Sequence, residues 1–413
     1  MHIDCHTDLP LQAAPQDARA DRRAATGDDE EALLRLVACA GAAAPRRRLL
    51  ERHPEPAAAL AAGAPLWRDC GLSPAQVAAL RAPAPDTLVH ARAWLAEPGH
   101  HLLGWHDPDY PALLRSSPHP PLALFVAGDP MRLWHPAVAL VGSRSATPAG
   151  CDNAAGFARA LVASGLAVTS GLAAGIDTVA HEATLRAGGL TVAVLGTGPD
   201  VSYPRANAAL HARIAGAGAV VSEHLPGTQA RREHFPSRNR ILAGLSLATV
   251  VIEAAERSGA LITARLASEA GREVFALPGS IHNPFARGCH RLIREGAGLV
   301  ESVDEVIAAL GPLAAVMADG LRERLGNPIS GGQGEIAPHP PQAEPPRDGT
   351  RALGGRDHPD HQNLWNALGF DPASMDQLVA RTALTPAVLS SMLLLMELDG
   401  RVAAQHGRYF RKR

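Results

Sequence analysis

Residues 234–241, with the sequence HFPSRNRI, and the apolar segment Leu247–Ile252 just after them decide the fold of this chain. The apolar segment is short and rich in β-branched residues, which is typical of a buried strand. Two glycine-bearing turns lie upstream, GSR at 142–144 and SGLAAGID at 170–177, and each follows another short apolar segment. Because such turns expose backbone amides at strand ends, the pattern predicts a phosphate-binding surface on a Rossmann-like sheet.

Short apolar segments alternate with helical segments from residue 122 to residue 276. This alternation predicts an α/β fold in which helices cover both faces of a parallel sheet. Ligands of such folds bind beyond the carboxyl ends of the strands. The predicted strands are Leu122–Ala127, Val138–Val141, Ala167–Thr169, Thr191–Leu195, Ala219–Ser222, Thr249–Ile252 and Glu273–Ala276. The predicted helices are Ala149–Ser164, Asp177–Ala187, Ala206–Ala215, Arg240–Leu245 and Ala260–Ala270.

Other regions flank this predicted sheet domain, which we place at residues 105–311. Residues 1–27 lack apolar periodicity and are predicted to be a disordered leader. Residues 28–104 show helical spacing of apolar residues and predict a small helix-hairpin or SAM-like domain. Residues 326–356 are rich in Pro and Gly and predict a linker. Residues 357–413 predict three helices and a hairpin, which together describe a winged helix.

The charged residues exclude several kinds of phosphate chemistry. The formal net charge is −2, so any basic surface must be local. Lys412 is the only lysine, so the chain has no lysine for a Walker A loop or an interior Schiff base. Phosphate binding must therefore use arginines, backbone amides and helix N-termini.

The cysteines and the hydropathy predict a cytoplasmic protein. None of the five cysteines forms a C-x-x-C pair, so a zinc ribbon or a disulfide framework is not expected. The N-terminal sequence MHIDCHTDLP has no apolar core of a signal peptide, and no stretch reaches the ~20 apolar residues of a membrane span.

The arginines of the HFPSRNRI stretch favour a ligand. Arg238 and Arg240 fall near a predicted helix start, where positive charges oppose the helix dipole. Arginine binds phosphate through paired hydrogen bonds, and an exposed Phe235 could stack on a base, a contact worth ~1–3 kcal/mol. In the alternative, Phe235 belongs to the core and the arginines form a solvated face.

A third glycine turn, Gly196-Thr197-Gly198, argues against a dinucleotide cofactor. The dinucleotide fingerprint would need a third glycine at position 201, which is Val201. We therefore expect no NAD and no other cofactor.

The segment from Glu253 to Ala264 leaves three roles open for the Glu253 carboxylate. Its SGALITA part predicts a second anion site at a helix start. Glu253 could be a catalytic group, or it could cap a helix or pair with an arginine. Signals of a hydrolase or a metal site are weak: Ser246 lacks the second glycine of a nucleophile elbow, and His181 lacks the second histidine of a zincin helix.

Taken in order along the chain, these motifs resemble the DprA/Smf family of bacterial DNA-processing proteins. The resemblance covers roughly residues 105 to 310, and an ordered series is more specific than any single motif. The motifs that carry it are GSR, SGLAAGID, SYPRAN, SEHLPG, HFPSRNRILAGLS, SGALITARLASEAGREVFALPGS and GCHRLIREGA.

The resemblance implies a protein without catalytic activity that binds and protects single-stranded DNA during natural transformation. It also implies loading of the RecA recombinase and a homodimer, without cofactor or metal. The implied DNA-binding residues are Gly142, Ser143, Arg144, Gly171, Gly175, Phe235, Arg238, Asn239, Arg240, Ser258, Gly259 and Thr263. The implied dimer residues are His290, Ile293 and Leu299. Relatives often carry a lysine shortly before the phenylalanine, where this chain has Arg231 and Arg232.

Two other hypotheses stay open at this point. One is a nucleotide-processing Rossmann enzyme, similar to nucleoside-monophosphate phosphoribohydrolases, in which Glu253 would be catalytic. That group carries a P-G-G-x-G-T run, where this chain has SGAL at 258–261. The other is a transcription regulator that binds duplex DNA through residues 357–413.

Overall fold

A nine-stranded sheet is the larger of two sheets in a computed structural model, which describes residues 16–82, 85–311, 359–405 and 407–412. The strand order is β1-β2-β6-β5-β4-β3-β7-β8-β9. The strands are β1 His100–Gly104, β2 Ala123–Gly128, β3 Ala137–Gly142, β4 Ala167–Ser170, β5 Thr191–Val194, β6 Ala219–Ser222, β7 Ala248–Glu253, β8 Glu273–Ala276 and β9 Gly298–Leu299.

The sheet reverses its strand order at β3. Strand β3 pairs in parallel with β4 on one side, Val138 facing Val168, and with β7 on the other, where Val138 faces Ala248. The parallel pairing continues from β4 to β6 and from β7 to β9, whereas β2 runs antiparallel to β6. Ligands of open α/β sheets bind at such a reversal, so the loops after β3 and β7 mark the expected site.

Helices accompany the sheet, and their apolar faces supply its core. Phe157 and Leu161 of one helix pack with Val138 and Leu140 of β3 and with Val250 of β7 in one cluster of buried residues. The helices of this region are α7 Ala112–Arg115, α8 Pro148–Ala163, α9 Ile176–Arg186, α10 Ala208–Ala217, α11 His234–Leu245, α12 Gly259–Glu269, α13 Arg287–Arg294 and α14 at 303–311. Two short 3-10 helices lie at Pro130–Trp134 and Arg205–Asn207.

The N-terminal part of the chain is helical, with its own apolar cluster that includes Leu36, Leu49, Trp67 and Leu80. Of the predicted disordered leader, residues 1–15 lie outside the described residues, and the rest is helical because α1 begins at Gln16. Alanine and arginine are strong helix formers, so these residues can be helical without an apolar face. The helices are α1 Gln16–Ala38, α2 Ala43–Arg52, α3 Pro56–Ala61, α4 Gly63–Asp69, α5 Pro74–Arg81 and α6 Pro85–Leu95.

The C-terminal part has the three helices and the hairpin of a winged helix, as predicted. Its small sheet has the order β10-β12-β11. The helices contribute buried residues to the core of this part, among them Leu364, Leu378, Leu389 and Met396. The predicted linker 326–356 lies outside the described residues. The elements are α15 Pro359–Leu368, β10 Ala373–Ser374, α16 Met375–Thr382, α17 Pro386–Leu398, β11 Val402–Gln405 and β12 Arg408–Arg411.

The predicted strands of the central sheet are confirmed, but one helix start is wrong. Helix α11 begins at His234 rather than at Arg240. Pro236 lies in its first turn, where a backbone N–H has no helical partner to lose, so the proline does not delay the helix. Strands β1 and β9 and the helices α7, α13 and α14 were not predicted. In the described part of the chain no single helix is long and apolar enough to cross a membrane, and α16 with α17 reaches that length only as a pair bent by 108°.

Candidate nucleic-acid interface

The turn after β3 is built to present its residues at the sheet edge. The hydroxyl of Ser143 accepts a hydrogen bond from the amide of Ser145 at 3.1 Å, and the Ser143 carbonyl accepts one from Ile176 at 3.1 Å. Gly175 has φ +82°, and a Cβ there would lie 2.2 Å from the Ser143 carbonyl oxygen. Only glycine therefore lets the second glycine turn pack against the first.

Glu253, the last residue of β7, anchors this turn from below. Its carboxylate accepts hydrogen bonds from the Thr147 amide at 2.9 Å, from the Thr147 hydroxyl and from the Asn283 amide nitrogen at 3.4 Å. Thr147 is the N-cap of α8 and also accepts from Gly150 at 3.0 Å. Glu253 is only 5% exposed, and its carboxylate joins the end of β7 to the start of α8.

Arg238 brings a buried positive charge to the same edge. Its guanidinium donates a hydrogen bond to the Val194 carbonyl at 2.7 Å, and its side chain is 4% exposed. Gly171 makes room for it, since a Cβ at that position would lie 1.8 Å from a guanidinium nitrogen. Burial lowers the pKa of Arg238 to about 10, although Asp177 opposes this shift, so the group is charged at neutral pH.

Asp177 holds the backbone of the second glycine turn. Its carboxylate accepts hydrogen bonds from the amides of Gly171 at 3.1 Å and Ala173 at 3.3 Å. Burial raises the pKa of Asp177, while the charge of Arg238 acts in the opposite direction. Arg238 and Asp177 therefore place one cation and one hydrogen-bonded carboxylate next to the second glycine turn.

Phe235 provides a flat apolar surface next to these charges. The guanidinium carbon of Arg144 lies 5.5 Å from the centroid of its ring, and the Tyr203 ring lies 5.1 Å away at an interplanar angle of 42°. The side chain of Phe235 is half-buried, and Tyr203 is 45% exposed. An aromatic ring beside an arginine is the arrangement that stacks unpaired bases in sequence-tolerant nucleic-acid sites.

The start of α12 completes the edge. Ser258 is the N-cap of this helix, and its hydroxyl accepts a hydrogen bond from the Ala260 amide at 3.2 Å. The amide of Asn239 reaches across from α11 to the Gly259 carbonyl at 3.5 Å. A helix N-terminus carries a partial positive charge, so this edge favours an anion.

These elements surround a cavity of about 580 Å³, which we call the strand-end cavity. It brings together nine of the twelve residues that the sequence indicated for DNA binding. They are Gly142, Ser143, Arg144, Phe235, Arg238, Asn239, Ser258, Gly259 and Thr263.

Three of the indicated residues do not line the strand-end cavity. Gly171 and Gly175 lie behind it and support Arg238 and Ser143, as described above. Arg240 forms an ion pair with Glu223 and donates to the His119 carbonyl at 2.7 Å, which holds it outside the cavity, and its part in DNA binding stays a prediction. Arg238 and Arg240 differ by two residues on α11, and that spacing turns their side chains about 200° apart.

The other indicated residues lie elsewhere. Arg231 and Arg232 are exposed and do not line the strand-end cavity. His290 and Ile293 lie on α13, and Leu299 in β9 is 50% exposed. The His290 ring nitrogen lies 3.0 Å from the Gly279 carbonyl oxygen. Whether these residues form a dimer stays a prediction.

Sequence reasoning missed three residues at this edge. Arg257 and Phe285 line the strand-end cavity, and Tyr203 contacts Phe235 beside it. Tyr203 belongs to the SYPRAN motif, which carried the family resemblance but was not assigned to the site. Arg257 directly precedes the predicted helix start at Ser258, and that position was the available signal.

The serine and the histidine that were weighed as signals of a hydrolase or a metal site are buried and hydrogen-bonded in the core. Ser246 is fully buried and its hydroxyl donates to the Leu242 carbonyl at 2.9 Å. His181 is fully buried beside the Thr191 hydroxyl at 2.7 Å, and burial lowers its pKa to about 3. Among the described residues, no group of histidine, cysteine, aspartate and glutamate side chains could hold a metal ion.

Comparison with known proteins identifies the family. Residues 101–311 match the family model described as DNA recombination-mediator protein A, and residues 337–408 match the DprA winged helix domain. Protein Smf from Synechocystis is 38% identical over 328 residues, which cover 74% of this chain and 79% of that protein. DNA processing protein DprA from Streptococcus pneumoniae is 48% identical over 202 residues, covering 49% of this chain and 71% of the relative.

A solved structure agrees with the sequence comparison. The X-ray structure of DprA from Streptococcus pneumoniae has a TM-score of 0.59 and 37% identity, and it covers 66% of this chain and 95% of that one. Family models, relatives and fold therefore agree, and this chain belongs to the DprA/Smf family of DNA-processing proteins.

Proposed function

We propose that the strand-end cavity binds single-stranded DNA and that this chain handles incoming strands during DNA uptake. The observation that carries the proposal is the half-buried Phe235 ring beside Arg144, in one cavity with the buried charge of Arg238. A base can stack on Phe235 only when its face is free, which favours a single strand over a duplex. The two arginines and the start of α12 would hold the phosphates on either side.

The proposed binding does not depend on base sequence. The lining includes an aromatic face, guanidinium groups and polar side chains, and every nucleotide offers a base face and a phosphate to such groups. Tyr203 would extend the aromatic surface to a neighbouring base, because its exposed ring contacts that of Phe235.

The proposed role is not enzymatic. Glu253, the candidate catalytic carboxylate, accepts three hydrogen bonds that fix the turn after β3 and the start of α8. These bonds explain why the site needs a carboxylate there. The protein would therefore bind a strand without cleaving it.

Family membership supports three further parts of the proposal. We propose that the chain forms a homodimer through His290, Ile293 and Leu299, and that the DNA-bound form loads RecA recombinase. We place it in the cytoplasm, in accord with the four free cysteines of the described residues. We also propose separate domains at residues 28–104, 105–311 and 357–413, with a linker at 326–356.

Binding of a fluorescent oligothymidylate, followed by polarisation over a range of salt concentrations, tests the proposal. We expect Arg144→Ala and Phe235→Ala each to weaken binding at least about fivefold, because each removes a phosphate or base contact. Arg186→Ala is the matched control, since Arg186 pairs with Glu182 on α9 and does not line the cavity. Wild-type affinity in both cavity variants, with the fold retained, would reject the proposed site.

RecA loading needs a separate measurement. The rate at which RecA assembles on an oligonucleotide already covered by single-strand binding protein should rise when this protein is added. The rise should be smaller with Phe235→Ala than with Arg186→Ala. If the rates are the same with and without the protein, the loading part fails while the binding part stands.

A further inference from the structure

A second cavity, of about 540 Å³, adjoins the strand-end cavity and is strongly basic. Five basic side chains line it, and Glu256 is its one acidic lining residue. Arg257 lines both cavities, so the two share a wall. The basic residues of the second cavity are Arg257, Arg287, His290, Arg291 and Arg294.

Helix α13 supplies three of these arginines from one side. At about 100° per residue, Arg287, Arg291 and Arg294 fall within an arc of about 60°. The buried residues Cys289 and Leu292 lie on the other side of the helix. We call the three arginines the arginine row, and it is about 10 Å long at 1.5 Å per residue.

Folding alone gives little reason for this arrangement. Arg291 pairs with Glu295 at 2.7 Å and Arg287 approaches Glu256 at 3.9 Å, but all four side chains are more than half exposed. Exposed ion pairs of this kind contribute little to stability. Arg287 also lies at the helix N-terminus, where the helix dipole disfavours a cation, whereas Arg291 and Arg294 lie in the last turn, where the dipole favours one modestly.

Two arginines of the second cavity have no partner among the residues that the structure describes. These are Arg294, at the end of the row, and Arg257, at the shared wall. A concave surface with two unpaired guanidinium groups, in a chain of net charge −2, is suited to an extended polyanion.

We infer that the arginine row carries the phosphates of the strand where it leaves the strand-end cavity past Arg257. The inference rests on the proposed function and adds the direction in which the strand leaves the strand-end cavity, which is towards α13. A short strand would fill only the strand-end cavity, whereas a longer one would also contact α13. The predicted dimer residue Ile293 lies about 120° round the helix from the row, so a dimer contact there leaves the row free, whereas His290 lies about 40° from Arg294 and lines the same cavity.

The test compares a short oligothymidylate of about 6 nucleotides with a long one of about 20. We expect Arg287→Ala/Arg294→Ala to bind the short strand like the wild type. On the long strand it should lose about tenfold in affinity at 0.1 M salt, and its salt slope should fall by about 1.4, which corresponds to two phosphate contacts at about 0.7 each.

Arg186→Ala/Arg213→Ala removes the same charge from α9 and α10, outside both cavities, and should bind both strands like the wild type. Arg287→Lys/Arg294→Lys keeps the charges and should keep most of the long-strand affinity. Equal affinity of the alanine variant and the wild type for the long strand overturns the inference. Equal losses on both strands overturn it too, since they indicate a general charge effect.

The outcomes separate this inference from the proposed function. If Phe235→Ala binds the short strand as tightly as the wild type, the strand-end cavity is not the binding site. If Phe235→Ala weakens binding but Arg287→Ala/Arg294→Ala binds the long strand like the wild type, the strand-end cavity is the binding site and the row does not carry DNA. Polyglutamate serves as a model of an acidic protein. If the wild type binds polyglutamate and Arg287→Ala/Arg294→Ala does not, while the variant keeps its affinity for the long strand, the row binds an acidic protein and the inference is overturned.

Discussion

The guanidinium carbon of Arg144 lies 5.5 Å from the centroid of the Phe235 ring, although the two residues belong to different elements. Arg144 follows β3, whereas Phe235 lies in the first turn of α11. The contact joins a cation to an aromatic face, and it leaves the Phe235 side chain half-buried. A phosphate and its base would thus be held by two neighbouring groups that also hold each other.

This contact predicts that the two residues contribute to DNA binding in a coupled way. Phe235→Ala should cost about 1–3 kcal/mol of binding free energy through lost stacking. The double variant Arg144→Ala/Phe235→Ala should cost about 0.5–1 kcal/mol less than the sum of the single variants, since each single change already breaks the contact. Oligothymidylate affinities of the four proteins measure this coupling.

A matched aromatic residue provides the control. Phe370 of the winged helix lies 5.6 Å from the Arg411 guanidinium carbon, in a similar contact that does not line the strand-end cavity. Phe370→Ala should leave oligothymidylate affinity unchanged. Strict additivity of the two cavity variants would show that the ring and the cation act on the strand independently.

Gly171→Ala should displace the buried charge of Arg238. A Cβ at position 171 would lie 1.8 Å from one guanidinium nitrogen and 2.1 Å from the other, so the group must move from the Val194 carbonyl. A hydrogen bond of a charged group contributes about 1.5–3 kcal/mol, and we expect the free energy of unfolding to fall by about that amount. Strand binding should weaken as well, because the charge leaves its position in the cavity.

Gly156→Ala is the control for this change. Gly156 lies inside α8 and no heavy atom lies within 4 Å of a Cβ built there, so alanine should raise stability by about 0.5–1 kcal/mol. Urea unfolding of both variants makes the comparison. Wild-type stability and binding in Gly171→Ala would show that Arg238 is not held as the contacts indicate.

Glu253→Gln separates an anchoring role from a catalytic one. All three partners of the carboxylate donate hydrogen bonds to it, so the amide group of glutamine must face at least one donor. One buried group left without its acceptor costs about 1–3 kcal/mol, and the free energy of unfolding should fall accordingly. Glu269→Gln, in the exposed pair with Arg265, should change stability by less than about 0.5 kcal/mol.

A nucleotide assay completes this comparison. We expect no release of base from nucleoside monophosphates by the wild type. Base release that disappears in Glu253→Gln, while its urea unfolding matches the wild type, would favour the enzyme hypothesis over anchoring.

The sequence predicted the strand ends and most of the strand-end cavity because their signals are local. Short β-branched segments followed by glycine mark strands and turns, and parallel strands bring their carboxyl ends to one edge. Gly142, Phe235 and Ser258 each follow or precede such a segment, so their meeting in one cavity could be expected.

The rest depended on geometry that no local signal sets. The position of Arg240 outside the cavity was not predicted, because the helix that places Arg238 and Arg240 on different sides begins six residues before the predicted start. Tyr203 reaches Phe235 through the path of a loop after β5. Arg257 gains its place between two cavities because the loop before α12 lies beside residues of α13, which is a tertiary relationship.

The winged helix predicts an outcome for duplex DNA. Its third helix, α17, contains no lysine, arginine or histidine, and it exposes Leu394, Leu395 and Leu398. Helices that bind in the major groove need basic and polar side chains for phosphates and base edges. Within the described part of the hairpin, Arg401 and Arg411 stack on the Trp365 ring at 4.5 and 4.3 Å, so their guanidinium groups are engaged.

We therefore expect duplex DNA to compete poorly for the full-length protein. A duplex of about 20 base pairs should displace a bound oligothymidylate at least about tenfold less effectively than the same length of single strand. Leu394→Glu, which adds a negative charge to the exposed side of α17, should leave that ratio unchanged because no residue of this helix lines the strand-end cavity. A duplex that competes as well as the single strand, and loses this ability in Leu394→Glu, would assign DNA binding to the winged helix and support the regulator hypothesis.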